Sequence, residues 1–526
     1  MDVGFCSART SSLTSIFSLL PVLALVLSCG LLSAQQPLPT GALIVPAPAD
    51  PAIAAALGQV SPDNIRAIIE KLVSFNNRST LSSMDTDLAP GTGVSAAADW
   101  IESQFKSFSQ ACGGCLEVKR DDFIEPAASG PYARITKPTK ITNVYAILRG
   151  TDPAQAARRV LVTGHYDSRN TLNANTHDAA PGANDDASGV AVSLESARVL
   201  SKLKLPSTIV FVAVAGEEQG LNGSAHLAKL AKSEGWQLEA VLNNDIVGGD
   251  TTPGNAGPPN IQDKSAVRVF SEGVPADTTP EQLRAIQNLG AEGDSPSREL
   301  ARAITEISTS YFHVTSQHGS SGTLPNHAHN NLMRMIPAFH PVLIFRRDRF
   351  LRGGDHTSFN SEGFAAVRFT EWAENFNHQH QDIRVADGIQ YGDLLQFVDF
   401  SYVANVARLN AATLATLAAA PGTPQNVHIL TAALDNNTEL TWEAPAGAPA
   451  DTAYEVVWRA SDQPIWTMFA SAGPALNLKL AISKDNVVFG VRSVDAAGHR
   501  SIAVLPTPVR PAHAVTAPAT KPAANQ

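Results

Sequence analysis

Apolar positions along the chain occur in two patterns, which predict strands alternating with helices. Short, continuous apolar runs predict strands over 143–148, 160–164, 208–215, 240–246 and 365–370. Apolar residues at helical spacing predict helices over 187–203, 221–233, 295–311 and 393–419, the last capped by Asp393. Strands that alternate with helices indicate an α/β fold. We expect a three-layer α/β/α sandwich with a mostly parallel mixed sheet.

The pattern changes after Ala420, where short strands with alternating apolar positions replace the helices. The clearest runs are 440–442, 454–458 and 487–494. They predict a C-terminal all-β sandwich over 424–505. The Pro-led opening, Trp442 and the segment 489–498 resemble a fibronectin type III module, and that resemblance implies a domain that could bind a surface, a polymer or a protein. The Pro- and Ala-rich residues 506–526 predict a disordered tail.

The N-terminus has the features of an export signal. Arg9 precedes an apolar run from Ile16 to Leu32, and small residues around Ala34 form a cleavage site. We therefore expect a signal peptide over 1–34 and a secreted or extracytoplasmic protein. The alternative is an uncleaved membrane anchor, but no stop-transfer charges follow. We expect no lipid anchor at Cys29, because the residue two positions before it is larger than such sites usually carry.

Two further features frame the mature chain. Residues 35–60 are rich in Pro and Ala, and we interpret them as a linker or a short propeptide. The α/β domain is expected over 61–419, beginning where Ser61 can cap a helix. The mature chain would keep only Cys112 and Cys115, and in an exported protein this close pair predicts a local structural disulfide.

Composition and charge exclude two classes of partner. The chain has 526 residues with 44% hydrophobic and 17% charged positions, which is enough for two or three domains with a large core. The net charge of −10 is spread along the chain. No basic stripe suggests nucleic acid, and no Lys/Arg-rich helix suggests a membrane surface. We expect no membrane span once the signal is removed.

Five short segments place an Asp, Glu or His where a strand meets a loop, the edge at which open α/β sheets bind ligands. They carry His165 and Asp167, Asp185 and Asp186, Glu217 and Glu218, Asp245, and His356. Two neighbouring buried glutamates repel each other unless a cation or a proton intervenes. An imidazole is a good zinc ligand, and its other N–H usually meets a carboxylate. Taken alone, each segment also fits a structural role, such as helix capping by Asp186.

Together the five segments resemble peptidase family M28, whose members use two zinc ions, over residues 61–419. The spacings fit, with 20 positions from His165 to Asp185 and 27 from Glu218 to Asp245. The resemblance implies two Zn²⁺ per chain, with Asp185 bridging them, Glu218 and His356 completing one ion, and His165 and Asp245 completing the other. It implies that Glu217 is the general base and that Asp167 supports His165 in catalysis.

The resemblance further implies a secreted aminopeptidase acting on peptides or proteins. Three alternatives stay open: a carboxypeptidase of the same fold, a glutaminyl-cyclase-like transferase with one zinc ion, and a non-enzymatic binding protein. Structural zinc sites prefer Cys and His, so a carboxylate-rich ligand set does not favour the last. With two zinc ions, three carboxylates and a bridging hydroxide, the inner charge is near neutral.

Other polar clusters have less specific interpretations. His378 and His380 could form a third metal site, but their setting favours the wall of a pocket or the surface. His327 and His329 lie in a polar loop that could border the cleft. The arginines at 346–352 either bind a substrate carboxylate or form a solvated loop.

Overall fold

The computed structural model describes residues 38–250, 252, 262–312, 314–316 and 335–509. The predicted signal peptide over 1–34 and the loop histidines His327 and His329 lie outside these residues. Most of the predicted tail does too, although residues 507–509 form a strand.

The described part of the chain contains the predicted helices, the last of them with a later start, and further helices that were not predicted. They are α1 (Pro51–Leu57), α2 (Pro62–Val73), α3 (Gly93–Ala111), α4 (Ala187–Leu200), α5 (Asn222–Ser233), α6 (Pro280–Leu289), α7 (Pro296–Tyr311), α8 (His356–Ser361) and α9 (Phe400–Ala419). Within the described residues, none of these helices combines the length and apolar character needed to cross a bilayer.

The strands divide between a large central sheet, smaller hairpins and a C-terminal sandwich. They are β1 (Ala42–Leu43), β2 (Leu116–Glu125), β3 (Thr139–Leu148), β4 (Arg158–His165), β5 (Thr208–Val214), β6 (Gln237–Asn244), β7 (Ala266–Ser271), β8 (Val314–Ser316), β9 (Met335–Pro337), β10 (His340–Ile344), β11 (Ala366–Thr370), β12 (Arg384–Ala386), β13 (Ile389–Tyr391), β14 (Gln425–Leu430), β15 (Thr438–Glu443), β16 (Ala453–Ala460), β17 (Met468–Gly473), β18 (Asn477–Leu480), β19 (Val487–Val494) and β20 (Thr507–Val509).

The central sheet has eight strands in the order β10-β7-β11-β6-β4-β5-β3-β2. Strand β4 pairs in parallel with both β5 and β6, and β11 continues the parallel run beside β6. Strands β2 and β3 form an antiparallel edge. The predicted mixed α/β sheet is therefore confirmed.

Helices cover both faces of this sheet, because its central strands are apolar on both sides. Ile209, Phe211 and Ala213 of β5 lie in one core, whereas Val210, Val212 and Val214 lie in the other. The first core also holds α2, α4 and α9, and the second holds α5 and α8. This is the predicted three-layer arrangement, and it presents the strand ends at one edge of the sheet.

Local capping signals were right at one helix and wrong at another. The Ser61 hydroxyl accepts hydrogen bonds from the first turn of α2, as predicted. The last helix, expected from residue 393, begins at Phe400 and is capped by Asp399. Asp393 instead accepts hydrogen bonds from the main chain of a distant loop, at Asn184 and Asp185. The capping role predicted for Asp393 is therefore wrong.

The C-terminal residues, together with β1 from the N-terminal segment, form two four-stranded sheets, β1-β17-β16-β19 and β18-β15-β14-β20. Their inner faces share a core that includes Trp442, Trp458 and Phe489. The predicted all-β sandwich is therefore confirmed, and the likeness to a fibronectin type III module stays a prediction. The short disulfide between Cys112 and Cys115 is present at the end of α3.

The segment predicted as a linker or propeptide contacts both folded parts. Strand β1 pairs with β17 at the edge of the sandwich. Helix α1 packs against the α/β part, where Ile53, Ala56 and Leu57 are buried. Whether residues 35–60 act as a linker or a propeptide stays a prediction.

Ion pairs join the sandwich to α7. Glu306 of α7 binds Arg492 and Arg500, each with a 2.6 Å contact. Arg492 is almost fully buried, with 3% of its side chain exposed. Both arginines also pair with Glu455, and without Glu306 that one carboxylate would face two cations, so these pairs should contribute to the stability of the whole chain.

Replacing Glu306 by Gln should lower the free energy of unfolding by about 3 kcal/mol, the low end for breaking a buried ion pair. Glu281→Gln is the matched control. Its pair with Arg284 is largely exposed, and loss of such a pair costs about 0–1 kcal/mol. Urea unfolding followed by circular dichroism measures both. Equal, small losses in the two variants would contradict a stabilising role for Glu306.

Candidate metal centre

Three neighbouring parallel strands bring most of the predicted site residues to one edge of the sheet. Strand β4 ends at His165, Glu217 and Glu218 follow β5, and Asp245 follows β6. Because parallel strands end on the same side, these side chains converge without any help from long loops. The loop before α4 adds Asp185 at the same edge.

Among the residues that the structure describes, six side chains form two groups that could each hold a metal ion. One group is His165, Glu217 and Asp245, and the other is Asp185, Glu218 and His380. Within each group the potential ligand atoms lie within 4.8 Å of one another.

Asp185 faces both groups, the position needed for a bridging ligand. Its Oδ1 atom lies 3.1 Å from Nε2 of His165, and its Oδ2 atom lies 2.9 Å from Nε2 of His380. Gln379 also donates to Oδ2, at 3.0 Å. The two carboxylate oxygens of one residue therefore point to two different imidazoles.

The structure places His356 apart from the other predicted ligands. His356 is fully buried at the start of α8 and belongs to neither group. Its Nε2 atom lies 2.8 Å from the main-chain oxygen of Arg347 and 3.7 Å from Oδ2 of Asp348, and neither residue belongs to the two groups. Burial lowers the pKa of His356 to about 4, so the ring is neutral near pH 7.

His380 takes the place that was expected for His356. Its Nε2 atom lies 2.9 Å from Oε1 of Glu218, besides its contact with Asp185. Burial opposes a charge on this ring, but the two carboxylates outweigh it and raise the pKa of His380 to about 10. The carboxylates thus favour positive charge between them. The sequence signal was present, because His380 follows β11 at the same sheet edge.

Asp167 contacts both the imidazole of His165 and the main chain of Glu217 and Glu218. Its Oδ1 atom lies 3.5 Å from Nδ1 of His165. Its carboxylate also accepts the main-chain N–H of Glu217 at 3.4 Å and that of Glu218 at 3.2 Å. The side chain is fully buried, so one carboxylate fixes the turn that presents both glutamates.

Asp186 has a wider role than the helix cap considered for it. It accepts the N–H of Gly189 at 3.0 Å, which caps α4. It also accepts the N–H of His165 at 3.0 Å and that of Ile246 at 3.2 Å. These bonds tie together the main chain beside His165, Asp185 and Asp245.

A buried arginine and Asp393 hold the loop that carries Asp185. The Asp393 carboxylate accepts the N–H of Asp185 at 2.7 Å. Arg78 donates to the main-chain oxygens of Pro181 and Gly182, at 2.6 and 2.9 Å. Burial lowers the pKa of Arg78 to about 10, and the nearby Asp393 opposes that shift. Neither residue was assigned to the site from the sequence.

Glu217 differs from the other acids at the site because it is partly exposed. Burial raises its pKa well above the usual value, and the charges of Asp245 and Glu218 raise it further. A partly exposed carboxylate with a raised pKa can accept a proton from one bound group and return it to another.

The residues present fit zinc. Nε2 of His165 and Oε1 of Glu218 are buried, and each lies close to another side chain of the two groups, Asp185 at 3.1 Å and His380 at 2.9 Å. Carboxylates gathered in a buried site repel one another, and a cation placed among them would relieve that repulsion. Imidazole and carboxylate ligands are those that zinc takes in catalytic sites.

Solved structures include distant likenesses. One is the LapA aminopeptidase of Legionella pneumophila, at 19% identity over 74% of this chain and 79% of that chain, with a TM-score of 0.43. Another is the glutaminyl cyclase of Porphyromonas gingivalis, at 18% identity over 67% of this chain and 97% of that chain, with a TM-score of 0.40. At this distance they say nothing about activity.

The chain has much nearer relatives in sequence. It is 43% identical to a probable zinc metalloprotease of Leptosphaeria maculans, over 89% of this chain and 99% of the relative. It is equally similar to one of Pyricularia oryzae, over 89% of this chain and 87% of the relative. The family model for peptidase family M28 matches residues 143–272, which include four of the proposed ligands. The chain belongs to peptidase family M28 and is a zinc metalloprotease.

Proposed function

We propose that this zinc metalloprotease is an aminopeptidase with two zinc ions. His165 and Asp245 would hold one ion, Glu218 and His380 would hold the other, and Asp185 would bridge them. The observation that carries this proposal is the position of Asp185, whose two oxygens face the two imidazoles separately. His380 thus replaces His356 in the ligand set inferred from the sequence.

Bound zinc, Glu217 and Asp167 would have different roles in the reaction. Bound zinc supplies Lewis acidity, which polarises a peptide carbonyl and acidifies water. Glu217 takes the proton from the attacking water and returns it to the leaving amine. Asp167 keeps the Glu217 main chain in place through its hydrogen bond at 3.4 Å.

The charge at the site favours an amino terminus over a carboxyl terminus as the group that is bound. Burial and the neighbouring acids raise the pKa of Glu217, and they raise that of the buried Asp355 to about 7, so a cationic group beside these acids would relieve the repulsion among them. A substrate ammonium group is attracted to such a site, whereas a terminal carboxylate is repelled. The carboxypeptidase alternative is therefore second. A glutaminyl-cyclase-like transferase would need one zinc ion rather than two.

Chelation with zinc add-back, run on paired substrates, tests the proposed function. The protein should hydrolyse carboxyl-blocked dipeptides and leave amino-blocked dipeptides intact. Activity should disappear on chelation and return as zinc is added, reaching its maximum at two ions per chain. Because Asp167, Asp186 and Arg78 hold the site through protein contacts, the chelated protein should keep its far-UV circular dichroism.

Two results would contradict the proposal. Cleavage of amino-blocked but not carboxyl-blocked dipeptides would indicate a carboxypeptidase. Full activity at one zinc ion per chain, with release of ammonia from N-terminal glutamine, would indicate a cyclase.

A further inference from the structure

A buried arginine contacts one of the proposed zinc ligands directly. Arg368 lies on β11, beside the strand β6 that leads into Asp245. Its NH2 group donates to Oδ1 of Asp245 at 2.8 Å and to the main-chain oxygen of Asp245 at 3.3 Å. The side chain of Arg368 is 0% exposed. One rigid guanidinium therefore fixes both the side chain and the main chain of Asp245.

The charge of Arg368 is balanced on its other side. Its NH1 group lies 3.3 Å from Oδ2 of Asp348 and donates to the main-chain oxygen of Gly353 at 2.8 Å. Asp348 is buried as well, so the guanidinium lies between two carboxylates. Since Asp348 compensates the charge, Arg368 adds little net repulsion to a cation beside Asp245. Its remaining effect on the site is geometric.

The main chain packs closely against this pair. A Cβ atom at Gly354 would lie 2.9 Å from NH1 of Arg368 and 3.1 Å from Oδ2 of Asp245. A side chain at this position would therefore displace the pair. Gly354 therefore packs against Oδ2 of Asp245 while Arg368 binds Oδ1, so both oxygens of the carboxylate are held in place.

The group that contains Asp185 and Glu218 is held in place by different contacts. Asp185 and Glu218 are positioned through their main-chain N–H groups, which donate to Asp393 at 2.7 Å and to Asp167 at 3.2 Å. Arg368 binds the ligand of one group only. A substitution of Arg368 should therefore change metal binding by His165 and Asp245, and it should not change metal binding by Glu218 and His380.

We propose that Arg368 is a positioning residue that sets the affinity of a single zinc ion, the one held by His165 and Asp245. This inference rests on the proposed two-ion centre. The affinity of this ion should depend on the buried ion pair between Arg368 and Asp245, whereas the affinity of the other ion should not.

The test measures zinc binding in Arg368→Gln by competition with a chromophoric chelator, together with zinc content after dialysis. One of the two ions should bind about 10–100-fold more weakly than in the unmodified protein, and the other should be unchanged. Arg368→Lys keeps the charge but not the planar fork, so it should show the same selective loss.

Arg268→Gln is the matched control. Arg268 lies on the neighbouring strand β7 and pairs with Glu374 at 2.9 Å. Its guanidinium also donates to the main-chain oxygen of Glu371. These partners are not proposed ligands, so this variant should bind both ions with unmodified affinity.

Gly354→Ala gives a second route if Arg368→Gln does not fold, because the new Cβ displaces the same pair. Near-UV circular dichroism establishes which variants are folded. Folded variants that bind both ions normally, or lose both together, would overturn the role of Arg368. If the unmodified protein binds two ions but cleaves no peptide, only the proposed activity fails. If it binds one ion, the two-ion centre fails.

Discussion

Glu217→Gln should lower kcat by about 10²–10⁴-fold while both zinc ions stay bound, because the amide cannot accept the proton that a general base removes. Glutamine has nearly the same shape, so the turn held by Asp167 should be preserved. KM should change little, since Glu217 acts on the reacting proton rather than on the ground-state substrate. Steady-state kinetics on a carboxyl-blocked dipeptide, with zinc content measured on the same sample, checks this result.

The neighbouring glutamate provides a sharp comparison. Glu218→Gln removes a proposed ligand, so it should lower zinc content as well as kcat. Glu70→Gln, on the exposed face of α2, should change neither quantity. If Glu217→Gln kept kcat within about tenfold of the unmodified protein with two zinc ions bound, Glu217 would not be the base.

The fold was predictable where a pattern is local and repeated. Strand β5 is apolar at every position after Thr208 because both of its faces are covered by helices. The start of α9 was not predictable in the same way. Asp393 and Asp399 both lie before an apolar helix, and local spacing does not separate them. Asp393 is used instead by Asp185, 208 positions away in the chain, which no local pattern reveals.

The site was predictable where it follows the rule that ligands bind at the carboxyl ends of parallel strands. His165, Glu218 and Asp245 each come at or just after the end of a parallel strand, and the structure places them together. His356 precedes β11, whereas His380 follows it. Applied strictly, the rule favours His380. His380 and its neighbour His378 lie in a polar segment, which is typical of a surface loop. His356 lies in a Gly-rich loop before a strand, which is typical of a ligand position.

One of the two buried arginines beside the site, Arg368, has a signal in the sequence, and the other, Arg78, has none. Arg368 is a single charge inside the short apolar strand β11. A charge predicted to be buried needs a partner, so its position alone indicates a carboxylate close to the strand. Arg78 lies in an irregular segment with no such context, and its bonds to main-chain oxygens depend on folding that local sequence does not encode.

Substituting the two competing histidines separates the ligand set of the structure from the one inferred from sequence. His380→Gln should lose one zinc ion, with a drop in affinity greater than the about 10–100-fold that loss of a supporting residue costs. Activity should fall with the zinc content, because Glu218 and Asp185 would lose the imidazole that faces them both.

His356→Gln should behave differently at the same site. The glutamine amide can replace Nε2 of His356 as a donor to the Arg347 carbonyl, so the fold should be kept and both zinc ions should stay bound. Zinc content after dialysis and chelator competition measure both variants. If His356→Gln lost an ion and His380→Gln kept two, the sequence-based ligand set would be right. Loss of an ion in both folded variants would mean that the loop around His356 supports the centre, because Asp355 lies beside it and interacts with Glu217.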